Sequence, residues 1–216
     1  MIPKIVHYCW FGDQEYNPLI KACMETWKAH LTDWEFILWN ENNSPLNNKF
    51  VQEALKSKKY AFVADYVRCH ALYEYGGVYL DTDMEVVKDL SSLLDCNFFA
   101  GFEDKQNQWV SCGVIGTIPE NEIIKRLLEH YSSKNFDFEP IPKVLTKILC
   151  NFDDENIILL DSNVFYPYNP FDSTQKVKQL MYKNITNETL AIHHWNYSWK
   201  PSLIERILSF VKKKIK

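Results

Sequence analysis

The sequence predicts one α/β domain, on three observations. Short apolar runs with strand character alternate with helical stretches along the chain. Of 216 residues, 46% are hydrophobic and 24% charged, ordinary globular usage that excludes a disordered chain. No repeat, low-complexity run or compositional break divides the chain before residue 203, so residues 1–202 read as one domain.

The elements follow in order. Ile2 to Trp10 (IPKIVHYCW) reads as a buried first strand, and Pro18 to His30 as a helix ending before the Thr32-Asp33 turn. Trp34 to Trp39 is a second strand, followed by a polar loop over Asn40 to Asn48. Phe50 to Lys58 and Tyr60 to Tyr75 are helices, the second stopped by Gly76-Gly77. Val78 to Leu80 is an apolar strand ending in Asp81-Thr82-Asp83, and Asp89 to Leu94 is a turn or short helix. Phe98 to Glu103 and Trp109 to Thr117 are strands. Pro119 to Tyr131 is a helix with its proline suited to the first turn. Lys143 to Cys150 is helical, Ile157 to Leu160 a strand, Tyr166 to Phe171 a loop and Leu190 to Trp195 a late strand.

Charge and cysteines exclude several classes. The net charge of −4 argues against an extended nucleic-acid surface. Six scattered cysteines without a CxxC pair argue against a zinc cluster and read as free thiols in a reducing cytoplasm. Met1-Ile2-Pro3-Lys4 runs into the first strand with no apolar leader, and no stretch reaches the roughly 18–20 apolar residues of a membrane span. Residues 203–216 differ from the rest. They hold Arg206, Lys212, Lys213, Lys214 and Lys216 against Glu205, with apolar residues at helical spacing. This is either a final helix packed on the domain or a basic amphipathic helix lying on an anionic membrane, giving peripheral attachment to its inner face.

Residues 76–85, GGVYLDTDME, carry the most chemistry. Continued strand geometry would place Asp81 and Asp83 on one side, roughly 6–7 Å apart. Two such charges repel by roughly 2–3 kcal/mol at an effective dielectric of about 20. A hard divalent cation, Mn2+ or Mg2+, relieves that repulsion and keeps positions open for phosphate oxygens. The plain alternative is two solvated aspartates at a strand end. A phosphatase-type DxD, with Asp81 as nucleophile, fits less well because Glu85 stands where Thr or Val is usual.

Two further groups belong with this motif. Asp65 and Arg68 share a face of an otherwise apolar helix, as a surface ion pair or as groups aimed at a buried polar ligand. In AIHHWNYSW, residues 191–199, strand alternation turns one of His193 and His194 inward. That imidazole either sits satisfied in the core or completes the cation site.

Three segments, IPKIVHYCWFG, ADYVRCHALYEYGGVYLDTD and AIHHWNYSW, resemble in this order the DXD-containing sugar transferases of glycosyltransferase family 32. That family includes bacterial capsular and lipopolysaccharide synthesis enzymes and yeast-type α-mannosyltransferases. The middle segment is also similar to the catalytic core of the large clostridial glucosylating toxins. The resemblance implies a nucleotide-diphospho-sugar transferase fold of the A type, Rossmann-like around a mixed central sheet. It implies retaining transfer of a hexose from a UDP- or GDP-sugar to a saccharide or lipid-linked oligosaccharide acceptor. By the same likeness Asp81 meets the ribose or metal, and Asp83 and His193 ligate the metal, with His194 as second choice. Asp65 and Arg68 hold the donor sugar, residues around Val6, His7, Tyr8 and Trp10 line the base pocket with Tyr79 nearby, and Ser198 and Trp199 cover the diphosphate. The sequence singles out no nucleophile. Glu103 and Asp104 are candidates, or residues of a solvated turn, and Trp109 to Gly116 is expected to face the acceptor. Two other readings remain: a nucleotide-sugar binding module without catalysis, and a metal-dependent phosphohydrolase.

Overall fold

The structure, a computed structural model, describes residues 1–106, 108–133 and 139–196. The predicted basic helix over 203–216 and the pair Ser198 and Trp199 lie outside the described residues.

Six strands form one mixed sheet in the order β2-β1-β3-β6-β5-β7, where β1 is Ile5–Cys9, β2 Glu35–Trp39, β3 Gly77–Leu80, β5 Phe98–Phe102, β6 Val110–Thr117 and β7 Ile157–Leu160. β1 runs parallel to both β2 and β3, β6 is antiparallel to β3 and β5, and β7 is parallel to β5. Strand order reverses direction at β1. Ligand crevices in open α/β sheets lie beyond the carboxyl ends of strands at such a switch point. β3 ends there, directly before Asp81.

Alternation along the strands builds two apolar layers. Tyr79 and Cys9 pack with helices α2 (Lys49–Lys56), α3 (Tyr60–Tyr75), α4 (Glu122–Ser133) and α5 (Ile141–Leu149). Val6, Val78 and Leu80 pack on the opposite face with α1 (Pro18–His30), α6 (Ser162–Phe165) and a two-stranded ribbon of β4 (Met84–Val86) and β8 (Ala191–His193). α1 starts at Pro18 because the Asn17 side chain accepts from the Ile20 N–H at 3.0 Å and Pro18 has no N–H to leave unpaired. α3 ends where Gly76 and Gly77 take φ of +63° and +93°. A Cβ on Gly77 would stand 2.7 Å from the Ile5 carbonyl oxygen. Only glycine lets the chain turn from helix into the central strand here.

Several local readings are corrected. α4 begins at Glu122, and Pro119 lies outside it. The start is set by Asn121, whose side chain accepts from the Ile123 N–H at 2.9 Å. The late strand is shorter than Leu190 to Trp195, because Trp195 adopts φ +54° and leaves it. β4 pairs antiparallel with β8, where the sequence suggested only the end of the preceding strand. All six cysteines are free, and five are buried. Among the described residues no helix is long and apolar enough to cross a membrane.

Candidate active site

Asp81 and Asp83 do not continue β3. The chain turns, with the Met84 N–H donating to the Asp81 carbonyl at 3.0 Å, and re-enters extended structure as β4. This turn, in place of the predicted strand alternation, gathers the carboxylates. Asp81 Oδ and Asp83 Oδ atoms and a His193 ring nitrogen lie within 4.8 Å of one another. Two α1 side chains hold β4 in place. Trp27 Nε1 donates to the Met84 carbonyl at 2.6 Å, and Thr26 Oγ1 accepts from the Val86 N–H at 2.9 Å.

β8 brings His193 to this turn by pairing with Met84. His193 Nε2 is 3.2 Å from Asp83 Oδ1, and the Asn196 N–H donates to Asp83 Oδ2 at 2.7 Å. Burial opposes ionisation of Asp83, but the His193 charge, its hydrogen bond and the Asn196 N–H outweigh it, holding the carboxyl below its usual range. Burial likewise opposes charging of His193, and Asp83 outweighs it in the upward direction. His194 turns the other way, with Nε2 2.7 Å from Glu85 Oε2, so the two adjacent histidines take separate carboxylates.

The residues fit a divalent ion. Two carboxylates and an imidazole are a donor set for a divalent cation. His193 Nδ1 is buried and has no hydrogen-bond partner, an uncommon state for a buried polar atom.

Behind Asp81 stands a buried charge cluster. Arg68 NH2 is 3.1 Å from Asp65 Oδ1 and 3.4 Å from Asp81 Oδ1, and NH1 donates to the Cys112 carbonyl. The guanidinium lies 4.4 Å over the Tyr79 ring, whose hydroxyl is 3.2 Å from Asp81 Oδ1. Asp65 and Arg68 are 7% and 6% exposed. Burial pushes the Asp65 carboxyl up to about 7; Arg68 opposes the rise and Asp81 adds to it. Arg68, Asp65 and Tyr79 thus act on Asp81 from within the fold. A Cβ on Gly113 would stand 3.2 Å from Asp81 Oδ2, so the close approach permitted by this glycine is to the site's own carboxylate.

The first strand divides in two. Val6 and His7 have no exposed surface. His7 Nε2 lies 2.9 Å from the Gly76 carbonyl, and its Nδ1 accepts from Trp39 Nε1 at 3.1 Å. Burial lowers its pKa to about 4, the Gly76 contact opposing, so this neutral imidazole braces the glycine turn and offers a ligand nothing. Tyr8 and Trp10 do present surface. Tyr8 borders a groove of about 350 Å³ with Tyr16, Trp27 and Phe36, and the Trp10 ring lies 4.6 Å from Tyr16.

At the end of β5, Asp104 organises its turn by accepting from the Gln106 and Gln108 N–H groups. Glu103 is different. Its backbone is fixed by Trp109 and Asn169, and burial pushes its carboxyl to about 7, Asp104 adding and His193 opposing. No signal in the sequence separated these two acids, because Asn169, whose side-chain amide donates to the Glu103 carbonyl at 3.0 Å, is distant in sequence. Every residue of β6 is buried, so the run from Val110 to Gly116 is core, and an acceptor could meet only its flanks.

Residues 18–100 match the family described as "Glycosyltransferase sugar-binding region containing DXD motif". The chain is 28% identical over 222 residues to uncharacterized glycosyltransferase L373 of Acanthamoeba polyphaga mimivirus, covering 94% of this chain and 86% of that one. It is 25% identical over 150 residues to human alpha-1,4-N-acetylglucosaminyltransferase, covering 62% of this chain and 42% of that one. Among solved structures, the apo form of the glycosyltransferase GlyE of Streptococcus pneumoniae TIGR4 superposes with a TM-score of 0.57 at 13% identity, covering all of this chain and 65% of that one. The fold is that of the A-type glycosyltransferases, and the matched region contains the DXD turn described above. The chain is thus similar to DXD-containing glycosyltransferases, with the family match carried by residues 18–100.

Proposed function

We propose that this chain is a retaining, metal-dependent hexosyltransferase. It moves a sugar from a UDP- or GDP-sugar to a saccharide or lipid-linked oligosaccharide acceptor, in the synthesis of a surface polysaccharide such as capsule or lipopolysaccharide. The convergence of Asp81, Asp83 and His193 at the carboxyl end of β3 carries this reading. The three residues would hold Mn2+ or Mg2+, which when bound would supply charge stabilisation to a departing diphosphate. Arg68 and Tyr79 fix Asp81 for that task, and the narrow exposed edges of Asp65 and Arg68 face the donor sugar. Tyr8 and Trp10 offer flat surfaces to the base. In the reaction the acceptor oxygen bonds to the anomeric carbon as the carbon–phosphate-oxygen bond breaks on the same face. The acceptor proton passes to the leaving phosphate oxygen, and a nucleoside diphosphate departs.

The test is release of nucleoside diphosphate from a panel of UDP- and GDP-sugars with Mn2+ present. Turnover that Asp83→Ala abolishes supports the reading. Donor binding without turnover would make the chain a binding module, and release of inorganic phosphate would make it a phosphohydrolase.

A further inference from the structure

Nine large apolar side chains are exposed among the described residues, and five of them fall between positions 171 and 185. They are Phe171, Val177, Met181, Tyr182 and Ile185, with Tyr182 93% exposed. Lys176, Lys178 and Lys183 are interspersed and also exposed. Against these stands one acid, Asp172, which is buried. The stretch therefore carries three positive charges and one negative, +2, in a chain whose net charge is −4.

The segment is pinned in this arrangement. Asp172 Oδ1 accepts from the Thr174 N–H at 2.8 Å and from its hydroxyl at 2.6 Å, and Lys178 Nζ donates to the Asp172 carbonyl. Gln106 Nε2 donates to Thr174 Oγ1 at 3.0 Å, tying the segment to the loop after β5. Asn184 Oδ1 accepts from the Met181 N–H at 2.9 Å, holding the single helical turn that displays Tyr182. Its inner end adjoins the site. The Phe171 ring lies 5.9 Å from Trp195, and Trp195 lies 4.2 Å from His193.

We propose that residues 171–185 dock on an anionic lipid surface and so deliver a lipid-borne acceptor to the site, which rests on the transferase reading above. Aromatic and methionine side chains with lysines between them suit the headgroup boundary, where the rings and thioether enter the acyl region and the Lys176 and Lys183 ammonium groups meet lipid phosphates. Lysine is depleted from the cores of protein–protein interfaces, which argues against a protein as the occupant. The short path from Phe171 to His193 then sets the cation site close to the membrane plane.

The test is co-sedimentation of the full chain with phosphatidylglycerol–phosphatidylcholine vesicles and with phosphatidylcholine alone. The full chain is expected to partition onto the anionic vesicles. Met181→Ser/Tyr182→Ser should weaken this at least about tenfold, from the apolar area lost, and Lys176→Gln/Lys183→Gln should weaken it further in low salt. The basic residues beyond 203 stay constant throughout. A Tyr182→Cys, Cys150→Ser chain labelled with an environment-sensitive dye should show a blue shift with anionic vesicles. Unchanged partition of the Met181/Tyr182 variant, or no spectral shift, overturns the proposal. So does dissociation of an oligomer by the same variant, which would assign the patch to a second copy. Release of nucleoside diphosphate in solution should be the same in parent and variant, so failure of the docking proposal is distinct from failure of the transferase reading.

Discussion

Replacing Arg68 with methionine probes the cluster that positions Asp81. The guanidinium stands 3.1 Å from Asp65 and 3.4 Å from Asp81. At an effective dielectric of about 20, each attraction is worth about 5 kcal/mol before desolvation is counted. Burying the guanidinium offsets much of that. Removing one partner of a buried pair costs about 3–5 kcal/mol, because the remaining charge stays buried. In a domain of this size that lowers Tm by roughly 6–20 °C. The loss should depend on pH. Asp65 already has a folded pKa of about 7, against 3.8 unfolded, and Arg68 is the group opposing the rise. A carboxyl raised in the folded state binds more protons there than in the unfolded chain. Its stabilising effect is complete below the unfolded value and fades as pH rises through the folded one. Without Arg68 the folded value climbs further. The deficit of Arg68→Met should therefore be smaller near pH 5 than near pH 8. Arg68→Lys keeps the charge but not the fork that reaches Asp65, Asp81 and Cys112, so it should fall between. The assay is thermal unfolding followed by circular dichroism at both pH values. A Tm drop under about 3 °C, or an equal drop at both pH values, would refute the reasoning.

Two further substitutions address the frame of the site. Gly77→Ala forces a side chain onto φ +93° and a Cβ to 2.7 Å from the Ile5 carbonyl; it should cost at least about 2 kcal/mol in urea unfolding, and a smaller change would contradict the glycine requirement. Trp27→Phe removes the donor to the Met84 carbonyl and should cost about 1–3 kcal/mol by the same measurement, with β4 and so Asp83 loosened; full stability and full donor turnover would show that the bond is dispensable.

Much of this was legible in residue order, and the misses have physical causes. α1 and α3 stand where periodicity and their proline and glycine boundaries placed them, and β7 where its apolar run placed it. The β4–β8 ribbon was invisible because three-residue strands have no readable period and pair across more than a hundred residues. The same ribbon explains the spacing at the site. Strand rise predicted carboxylates set apart along β3, whereas a turn gathers them and β8 supplies His193. Side-chain alternation anticipated that His193 and His194 would diverge, and the structure gives each its own acid. Asp65 and Arg68 were recognised as polar residues in an apolar helix, but spacing alone cannot say that their partner is Asp81. His7 looked like a binding residue because it lies in a motif. Its burial follows from Trp39 and Gly76, both distant in sequence.

The central claim is that Asp81, Asp83 and His193 together hold one divalent ion. Titration of Mn2+ in the presence of UDP or GDP, followed by water-proton relaxation, measures it directly. The parent chain should bind one ion, and Asp83→Ala and His193→Ala should each weaken binding at least about tenfold. Variants that bind Mn2+ as tightly as the parent would contradict it.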